Sequence, residues 1–211
     1  MRLILVRHGR TSSNVGLLLD TGAPGADLDE VGRQQAETLV QRLAGQPIDA
    51  IFASNLVRTQ QTAAPLAAER GLTVRVLPGL REVPAGEDEM SPDATRYIGA
   101  MIAWGQGDLR AKVPGGEDAM EFMARYDAAI DQVAESGAAV AMVVSHGAAL
   151  RSWAAARVAG FDGALAGGHL DNTSVIVADG SPAEGWELVE LNGTVHRHGY
   201  DMADAQGPSA R

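Results

Sequence analysis

The chain has 211 residues, of which 45% are hydrophobic and 21% charged, and its formal net charge is −10. This length and composition fit one soluble domain with a well-buried core. The absence of cysteine excludes disulfides, thiol catalysis and cysteine-ligated metals, and the negative charge argues against general binding of nucleic acid or of anionic membranes.

The sequence shows no signal peptide and no membrane-spanning segment. The N-terminal apolar run is short and lacks a preceding basic region. No apolar run approaches the roughly 20 residues that a membrane-spanning helix needs. We therefore expect a cytoplasmic protein.

Predicted strands and helices alternate along the chain, and the strands are nearly continuous in apolar character, which is typical of strands buried on both faces. This alternation predicts crossover connections and an α/β fold with three layers, α/β/α, around a mostly parallel central sheet. In chain order the elements are strand Arg2–Val6, helix Asp29–Leu43, strand Asp49–Ala53, helix Asn55–Arg70, strand Thr73–Leu77, helices Ser91–Trp104 and Glu117–Ser136, strand Ala139–Ser145, helix Ala148–Val158, and strands Thr173–Ala178 and Trp186–Leu191.

Two stretches interrupt this alternation. The glycine-rich stretch Gly16–Ala26 is predicted to be a loop. The stretch Pro84–Gly116 is rich in glycine, proline, methionine and charge, and an insertion of this length in a compact domain is typical of a functional lid. We therefore expect a single domain, residues 1–211, with a lid at residues 84–116.

Two predicted strands end in a histidine followed by a glycine. Arg7, His8 and Gly9 follow the first strand, and His146 with Gly147 follows the strand Ala139–Ser145. Open α/β sheets bind ligands at the carboxyl ends of their strands. Either corner alone would be an ordinary polar strand end, but the recurrence predicts two histidines that converge on one small anionic site.

Two further residues have chemistry that suits such a site. Arg58 falls in the first turn of a predicted helix, where a cation is unfavourable for the helix dipole unless an anion is bound there. The alternative for Arg58 is an ion pair with a nearby carboxylate. Glu82 follows the third predicted strand, and a carboxylate at the mouth of the sheet could protonate a leaving group.

Six short motifs follow one another along the chain, and as an ordered set they are highly specific. They are Arg7-His8-Gly9 with Thr11 and Asn14; Leu28-Asp29 with Gly32 and Gln35-Ala36; Ser54-Asn55-Leu56 with Arg58 and Thr62-Ala63; Leu80-Arg81-Glu82; Pro114-Gly115-Gly116-Glu117; and Ser145-His146-Gly147. In this order the chain resembles the histidine phosphatase superfamily, also called the phosphoglycerate mutase-like family.

The resemblance implies a phosphoryl transfer in two steps, without a metal or another cofactor. His8 would attack the phosphorus atom and become phosphohistidine, and Glu82 would protonate the leaving oxygen and then activate water. Phosphoryl transfer depends mainly on positioning and charge stabilisation. The groups around the phosphoryl oxygens would be Arg7, Arg58 and His146, with hydrogen bonds from Asn14 and from the backbone N–H of Gly147.

The chain departs from the family pattern beside the predicted nucleophile. Arg10 stands where the family usually has glutamate or glutamine. Its cation would either bind a second anionic group of the substrate or pair with one of three carboxylates, those of Glu82, Glu87 and Asp88.

Two further departures concern the substrate side of the pocket. Thr21 with Gly22 stands in for a Ser/Thr-Gly pair that contacts substrate in mutase members, so Thr21 is a candidate substrate-binding residue. Met90 replaces a glycine that often ends the motif after the catalytic acid. The acidic run Glu87–Glu89 leaves alternative proton donors for the leaving group.

The leading prediction is a phosphomonoesterase that acts on a small phosphorylated metabolite. Mutases of the family carry a longer lid that keeps water from the phosphohistidine, and the interval from Glu82 to His146 is short. The alternatives are a phosphoglycerate-type phosphomutase and a non-catalytic module that binds a phosphorylated ligand. A homodimer is possible. We expect no metal site at the remaining histidines: a structural role for His169 and an exposed position for His196 and His198.

Overall fold

The computed structural model describes residues 1–161 and 170–195. His169, His196 and His198 lie outside the described residues. In the described part of the chain, no helix is long and apolar enough to cross a membrane; the cytoplasmic location stays a prediction.

Eight strands of the described residues form one sheet, in the order β3-β2-β4-β1-β6-β7-β5, with β8 beside β7. Strands β3, β2, β4 and β1 are parallel neighbours, β6 runs antiparallel to β1, and β7 runs antiparallel to β6. The prediction of a mostly parallel sheet is confirmed. The strands are β1 (Arg2–Arg7), β2 (Ala50–Ala53), β3 (Val74–Val76), β4 (Val140–Ser145), β5 (Val158–Ala159), β6 (Val175–Ser181), β7 (Gly185–Leu191) and β8 (Thr194–Val195).

Helices cover both faces of this sheet, which gives the predicted three layers. Side chains on β1 alternate between two cores: Leu3 and Leu5 pack in the core that α5 and α6 cover, and Ile4 and Val6 pack in the core of α2 and α3. Such alternation follows from the period of two along a strand. The helices are α1 (Ser12–Val15), α2 (Glu30–Arg42), α3 (Val57–Arg70), α4 (Thr95–Gly105), α5 (Ala119–Glu135) and α6 (Gly147–Arg157).

The last strands form hairpins, which the sequence interpretation did not predict. Strand β7 pairs with β6 on one side and with the short β8 on the other. Asn192 and Gly193 connect β7 to β8, and both have positive φ, of 48° and 86°. A two-residue hairpin turn of this type favours the sequence Asn-Gly.

The predicted lid packs against the body of the domain. Its helix α4 buries Tyr97 and Trp104. The hydroxyl of Tyr97 donates a hydrogen bond to the carbonyl of Val83 at 2.9 Å, and the Trp104 ring stacks on Phe122 of α5 with centroids 5.8 Å apart. These contacts join the segment to α5 and to Val83, the residue after Glu82.

Candidate active site

The two strand–histidine–glycine corners lie side by side. Strand β1 pairs with β4 so that Arg7 faces Ser145, and the backbone N–H of His8 donates to the carbonyl of Ser145 at 3.0 Å. The ring centroids of His8 and His146 are 5.2 Å apart, and both side chains are buried. The predicted convergence of the two histidines is confirmed.

The hydrogen bonding of His8 fixes its tautomer. Its Nδ1 lies 2.7 Å from the carbonyl oxygen of Gly9. Because a carbonyl only accepts hydrogen bonds, Nδ1 carries the proton and the lone pair is on Nε2. Burial lowers the pKa of His8 well below its usual value, and the nearby cations Arg58 and Arg7 lower it further. His8 is therefore a neutral imidazole that can act as a nucleophile through Nε2.

His146 is held by a buried hydroxyl. Its Nε2 lies 2.8 Å from Oγ of Ser54, a residue at the end of β2. Its Nδ1 is buried and has no hydrogen-bond partner among the described residues. Burial, followed by the charge of Arg58, lowers the pKa of His146 well below its usual value. A buried polar atom without a partner is unusual, and here it is on the ring next to His8.

Two buried arginines give the site its positive charge. Arg7 is the last residue of β1, and Arg58 lies in the first turn of α3, as predicted. Burial is the main cause that lowers the pKa of both guanidinium groups, and the charge of a nearby carboxylate opposes it, that of Glu82 for Arg7 and that of Asp20, then Glu82, for Arg58. Arginine nevertheless stays charged in proteins. A site with two buried cations is suited to a dianion.

Asp20 fixes the position of Arg58. The Nη2 of Arg58 donates to the carbonyl of Asp20 at 2.7 Å, and its Nη1 lies 3.6 Å from the carboxylate of the same residue. Nε and Nη1 of Arg58 are buried without a hydrogen-bond partner among the described residues. These N–H groups are suited to phosphate oxygens, which accept several hydrogen bonds at once.

Asn14 is oriented by its neighbours. Its Oδ1 accepts hydrogen bonds from the backbone of Thr11 at 3.1 Å and from Nδ2 of Asn172 at 3.2 Å. The Nδ2 of Asn172 also lies 3.0 Å from the carbonyl oxygen of His8. With Oδ1 occupied, Asn14 has its amide N–H groups left to donate to a ligand.

Gly147 begins α6 and permits close approach to the arginine. A Cβ at this position would lie 3.2 Å from Nε of Arg7. His146, the N-cap residue of α6, makes no capping hydrogen bond with its side chain. The first residue of α6 therefore lies against Arg7, and the dipole of the helix favours an anion at this end.

Glu82 is bound to this same helix end. Its carboxylate accepts hydrogen bonds from the backbone N–H groups of Ala149 at 2.7 Å, Ala148 at 3.1 Å and Val83 at 2.9 Å. A carboxylate offers about four acceptor positions, so one position is left to exchange a proton with a ligand. The carboxylate thus lies next to the corner that carries His146.

The other acidic side chains near Glu82 have different partners. Glu87 and Asp88 both pair with Arg96 of α4. Glu89 accepts hydrogen bonds from the hydroxyl and N–H of Thr21 and from the N–H of Gly22. Of the acidic residues Glu82, Glu87, Asp88 and Glu89, it is therefore Glu82 whose carboxylate binds the N-terminus of α6.

The structure shows the partners of Arg10 and of Thr21, and the partner of Arg10 differs from those expected. Arg10 pairs with Asp29, the N-cap residue of α2, at 2.7 Å, so the expected pairing with Glu82, Glu87 or Asp88 is wrong. Contact of Arg10 with a second anionic group stays a prediction. The Thr21 hydroxyl donates to Glu89 and accepts from the N–H of Ala85 at 2.9 Å. The Thr21 hydroxyl thus links its own loop to the segment that contains Ala85 and Glu89.

Sequence interpretation missed Asp20 and Asn172, which support Arg58 and Asn14. Asp20 directly follows the apolar run Leu17–Leu19, and a charged residue at the end of that run was the signal that could have indicated it. Asn172 lies just before β6 in the chain and had no motif of its own. Neither residue could be assigned to the site before the fold brought the loops together.

Comparison with known proteins identifies the family. The model of the histidine phosphatase superfamily, branch 1, matches residues 3–194. A PE-PGRS family protein of Mycobacterium tuberculosis is 34% identical over 208 residues, which cover 89% of this chain and 36% of that protein. The chain thus spans about a third of that relative. A probable phosphoglycerate mutase GpmB of Yersinia pestis is 36% identical over 157 residues, 71% of each chain.

Solved structures of phosphatases have the same fold. A mycobacterial glucosyl-3-phosphoglycerate phosphatase, in complex with VO3, superposes with a TM-score of 0.75 at 28% identity over 90% of this chain and 98% of its own. A putative alpha-ribazole-5'-P phosphatase of Escherichia coli gives a TM-score of 0.74 at 28% identity over 93% and 98%. The chain belongs to the histidine phosphatase superfamily, branch 1.

Proposed function

We propose that the protein is a phosphomonoesterase that hydrolyses a small phosphorylated metabolite through a phosphohistidine at His8. The observation that carries this proposal is the neutral His8, whose Nδ1 is bound to Gly9 and whose Nε2 carries the lone pair, beside the buried cations Arg7 and Arg58. A buried neutral nucleophile next to two guanidinium groups is suited to attack on a phosphate dianion.

In the first step, Nε2 of His8 forms a bond to phosphorus while the bond from phosphorus to the leaving oxygen breaks. Glu82, in its protonated form, gives its proton to that oxygen. The charge on the phosphoryl oxygens is stabilised by Arg7, Arg58 and His146, with hydrogen bonds from Asn14 and the backbone of Gly147.

In the second step, water attacks phosphorus and the bond from phosphorus to Nε2 breaks. The Glu82 carboxylate formed in the first step accepts a proton from this water, so the acid is regenerated. Phosphate leaves, and His8 returns to the neutral tautomer that its hydrogen bond to Gly9 favours.

We propose that neither step requires a metal or another cofactor. The two buried guanidinium groups and the N-terminus of α6 supply the positive charge that phosphoryl transfer needs. Addition of a chelator such as EDTA is expected to leave phosphate release unchanged. A loss of activity that Mg²⁺ or Zn²⁺ restores would contradict this part of the proposal.

Hydrolysis is favoured over mutase activity by the short interval between Glu82 and His146, and the phosphatase structures that superpose on this chain support it. The similarity to a probable phosphoglycerate mutase makes the mutase the alternative. Exchange of phosphate between mono- and bisphosphoglycerate, without net release, would favour that alternative.

The test is phosphate release from a panel of phosphomonoesters that includes an aryl phosphate. His8→Ala is expected to lower kcat/KM at least about 10³-fold, and acid-labile radiolabelled phosphoenzyme should form in the wild type alone. Arg33→Ala, on the exposed face of α2, is the control. Vanadate binding without phosphate release from any ester would instead indicate a binding module.

A further inference from the structure

Arg125 of α5 binds the backbone of the segment that carries Glu82. Its Nη1 donates to the carbonyls of Gly79 at 2.8 Å and Arg81 at 3.0 Å, and its Nη2 donates to the carbonyl of Glu82 at 2.9 Å. One side chain thus satisfies three carbonyls within four residues of chain. The Arg125 side chain is 13% exposed, so these bonds are largely shielded from water.

Glu117 fixes the guanidinium of Arg125 from the other side. Nε of Arg125 lies 2.9 and 2.8 Å from the two carboxylate oxygens of Glu117. Glu117 also pairs with Arg81. It ends the motif Pro114-Gly115-Gly116-Glu117, which has no other role in the proposed mechanism. The motif therefore connects to the site through Arg125.

The burial of Arg125 has an electrostatic cost that its partners offset. Burial lowers the pKa of Arg125, and the charge and hydrogen bond of Glu117 oppose this effect. The face of the Phe122 ring lies 5.0 Å from the guanidinium carbon and covers it. Among the described residues, the carbonyls that Arg125 satisfies all lie on one segment, and that segment includes Glu82.

Glu82 is consequently held at two points. Arg125 binds its backbone carbonyl, and the N-terminus of α6 binds its carboxylate through Ala148 and Ala149. We infer that Arg125 is a positioning residue, which sets the place of the Glu82 carboxylate relative to the leaving oxygen, and that Glu117 orients Arg125. This inference rests on the proposed function.

Lysine cannot replace Arg125 in this arrangement. Its ammonium is a single point with three donors, whereas the planar guanidinium reaches three carbonyls and a carboxylate in fixed directions. Arg125→Lys retains the charge and most of the side-chain volume but loses this geometry. It is therefore the variant that tests position while leaving the electrostatic field nearly unchanged.

The experiment compares esters with good and poor leaving groups. A 2,4-dinitrophenyl phosphate needs little protonation of its leaving oxygen, whereas an alkyl phosphate depends on the general acid. The quantity compared is kcat/KM, because it includes the steps up to release of the leaving group and not the later attack of water on the phosphohistidine. Glu82→Gln is expected to lower kcat/KM for the alkyl ester by about 10²-fold or more and to affect kcat/KM for the dinitrophenyl ester little. Arg125→Lys should show the same pattern, with a loss of about 10²-fold for the alkyl ester.

Binding of the phosphate provides a second measurement. Vanadate affinity should stay unchanged in Arg125→Lys, because Arg7 and Arg58 are not altered. Glu117→Gln should give the same pattern with a smaller loss, and it serves if Arg125→Lys does not fold. Arg157→Lys is the matched control: this exposed arginine of α6 binds Asp127 with two N–H groups and contacts no part of the Glu82 segment.

The outcomes separate the two proposals. Suppose that Arg125→Lys and Glu117→Gln lose the same activity on both esters while Glu82→Gln shows the expected pattern. This result would overturn the positioning role alone. The proposed function itself would be overturned if the wild-type protein released no phosphate, or if His8→Ala released phosphate as fast as the wild type. A selective loss on the alkyl ester in Arg125→Lys, with vanadate affinity retained, supports the inference.

Discussion

Nδ1 of His8 lies 2.7 Å from the carbonyl oxygen of Gly9, the next residue in the chain. The bond is local, so the tautomer of the nucleophile is set by the backbone at the end of β1 and does not need a separate carboxylate. Since burial and two cations also disfavour the imidazolium, the neutral form is ready before the substrate binds.

The first prediction concerns the pH dependence of phosphoenzyme formation. The pKa of His8 lies well below 6.5, with burial as the main cause, so the fraction of neutral His8 stays high as pH falls through 6.5. We therefore expect that protonation of His8 does not lower the single-turnover rate with a midpoint near pH 6.5. Rapid-quench measurements between pH 5 and 8 check this. A midpoint near pH 6.5 in this rate, together with a midpoint near the same pH in vanadate affinity that is absent in His8→Asn, would contradict it.

The second prediction concerns stability. Both His8 and His146 have a lowered pKa in the folded state, so the unfolded chain binds more protons once pH falls below about 6.5. The free energy of unfolding should therefore be greatest above that pH and decrease toward pH 5, by up to about 1.4 kcal/mol per pH unit for each histidine. Urea denaturation across this range measures the slope, and His8→Asn should reduce it.

The third prediction concerns Ser54, whose Oγ lies 2.8 Å from Nε2 of His146. Ser54→Ala leaves that buried nitrogen without its partner, which should cost about 1–3 kcal/mol of stability and lower kcat by about tenfold through a less defined imidazole. Steady-state kinetics with denaturation curves measure both. Ser12→Ala, at an exposed position of α1, is the control, and equal effects in the two variants would argue against the role of Ser54.

The fourth prediction concerns Asp20 as the countercharge of Arg58 in the ligand-free protein. Their side chains are 9% and 4% exposed. Asp20→Asn should destabilise the free protein by about 3 kcal/mol, because it leaves a buried cation uncompensated. Added phosphate should restore part of this loss, since it brings negative charge to the same guanidinium.

The matched control for Asp20 is Asp179→Asn, which breaks an exposed pair with Arg2. It should cost less than about 1 kcal/mol, with or without phosphate. Thermal unfolding with and without phosphate distinguishes the two variants. A phosphate-induced shift in Tm that is the same in Asp20→Asn and in the wild type would contradict the countercharge role.

The fifth prediction compares two positions with positive φ in the lid segment. Met90 has a φ of 60° and is half exposed, so Met90→Gly should stabilise the fold by about 0.5–1 kcal/mol. At Gly86, with a φ of 58°, a Cβ would lie 2.2 Å from the carbonyl oxygen of Pro114. Gly86→Ala should therefore destabilise by more than about 2 kcal/mol. Denaturation midpoints of the two variants test the opposite signs.

Sequence patterns predicted the parts of the fold that rest on local periodicity. The apolar runs located β1, β2 and β4, and the strand ends with histidine and glycine located His8 and His146. Both signals are strong because a strand buried on two faces has few polar residues, and a functional residue at its end is therefore conspicuous.

Other features could not be predicted because they depend on contacts between distant segments. Helix α1 is four residues long and depends on a capping box between Thr11 and Asn14, too short for a periodic pattern. The partner of Arg10 depended on where α2 begins, and the position of Asp20 depended on a loop that folds back over Arg58. Such pairings follow from tertiary structure rather than from spacing along the chain.

The register between β1 and β4, from Arg2 opposite Val140 to Arg7 opposite Ser145, also constrains how activity is acquired during folding. Pairing strands so distant in the chain requires closure of a long loop, which makes it slow relative to local helix formation. Catalytic competence should therefore return only after this pairing during refolding. No continuous fragment that lacks either strand can contain both histidines in their working arrangement.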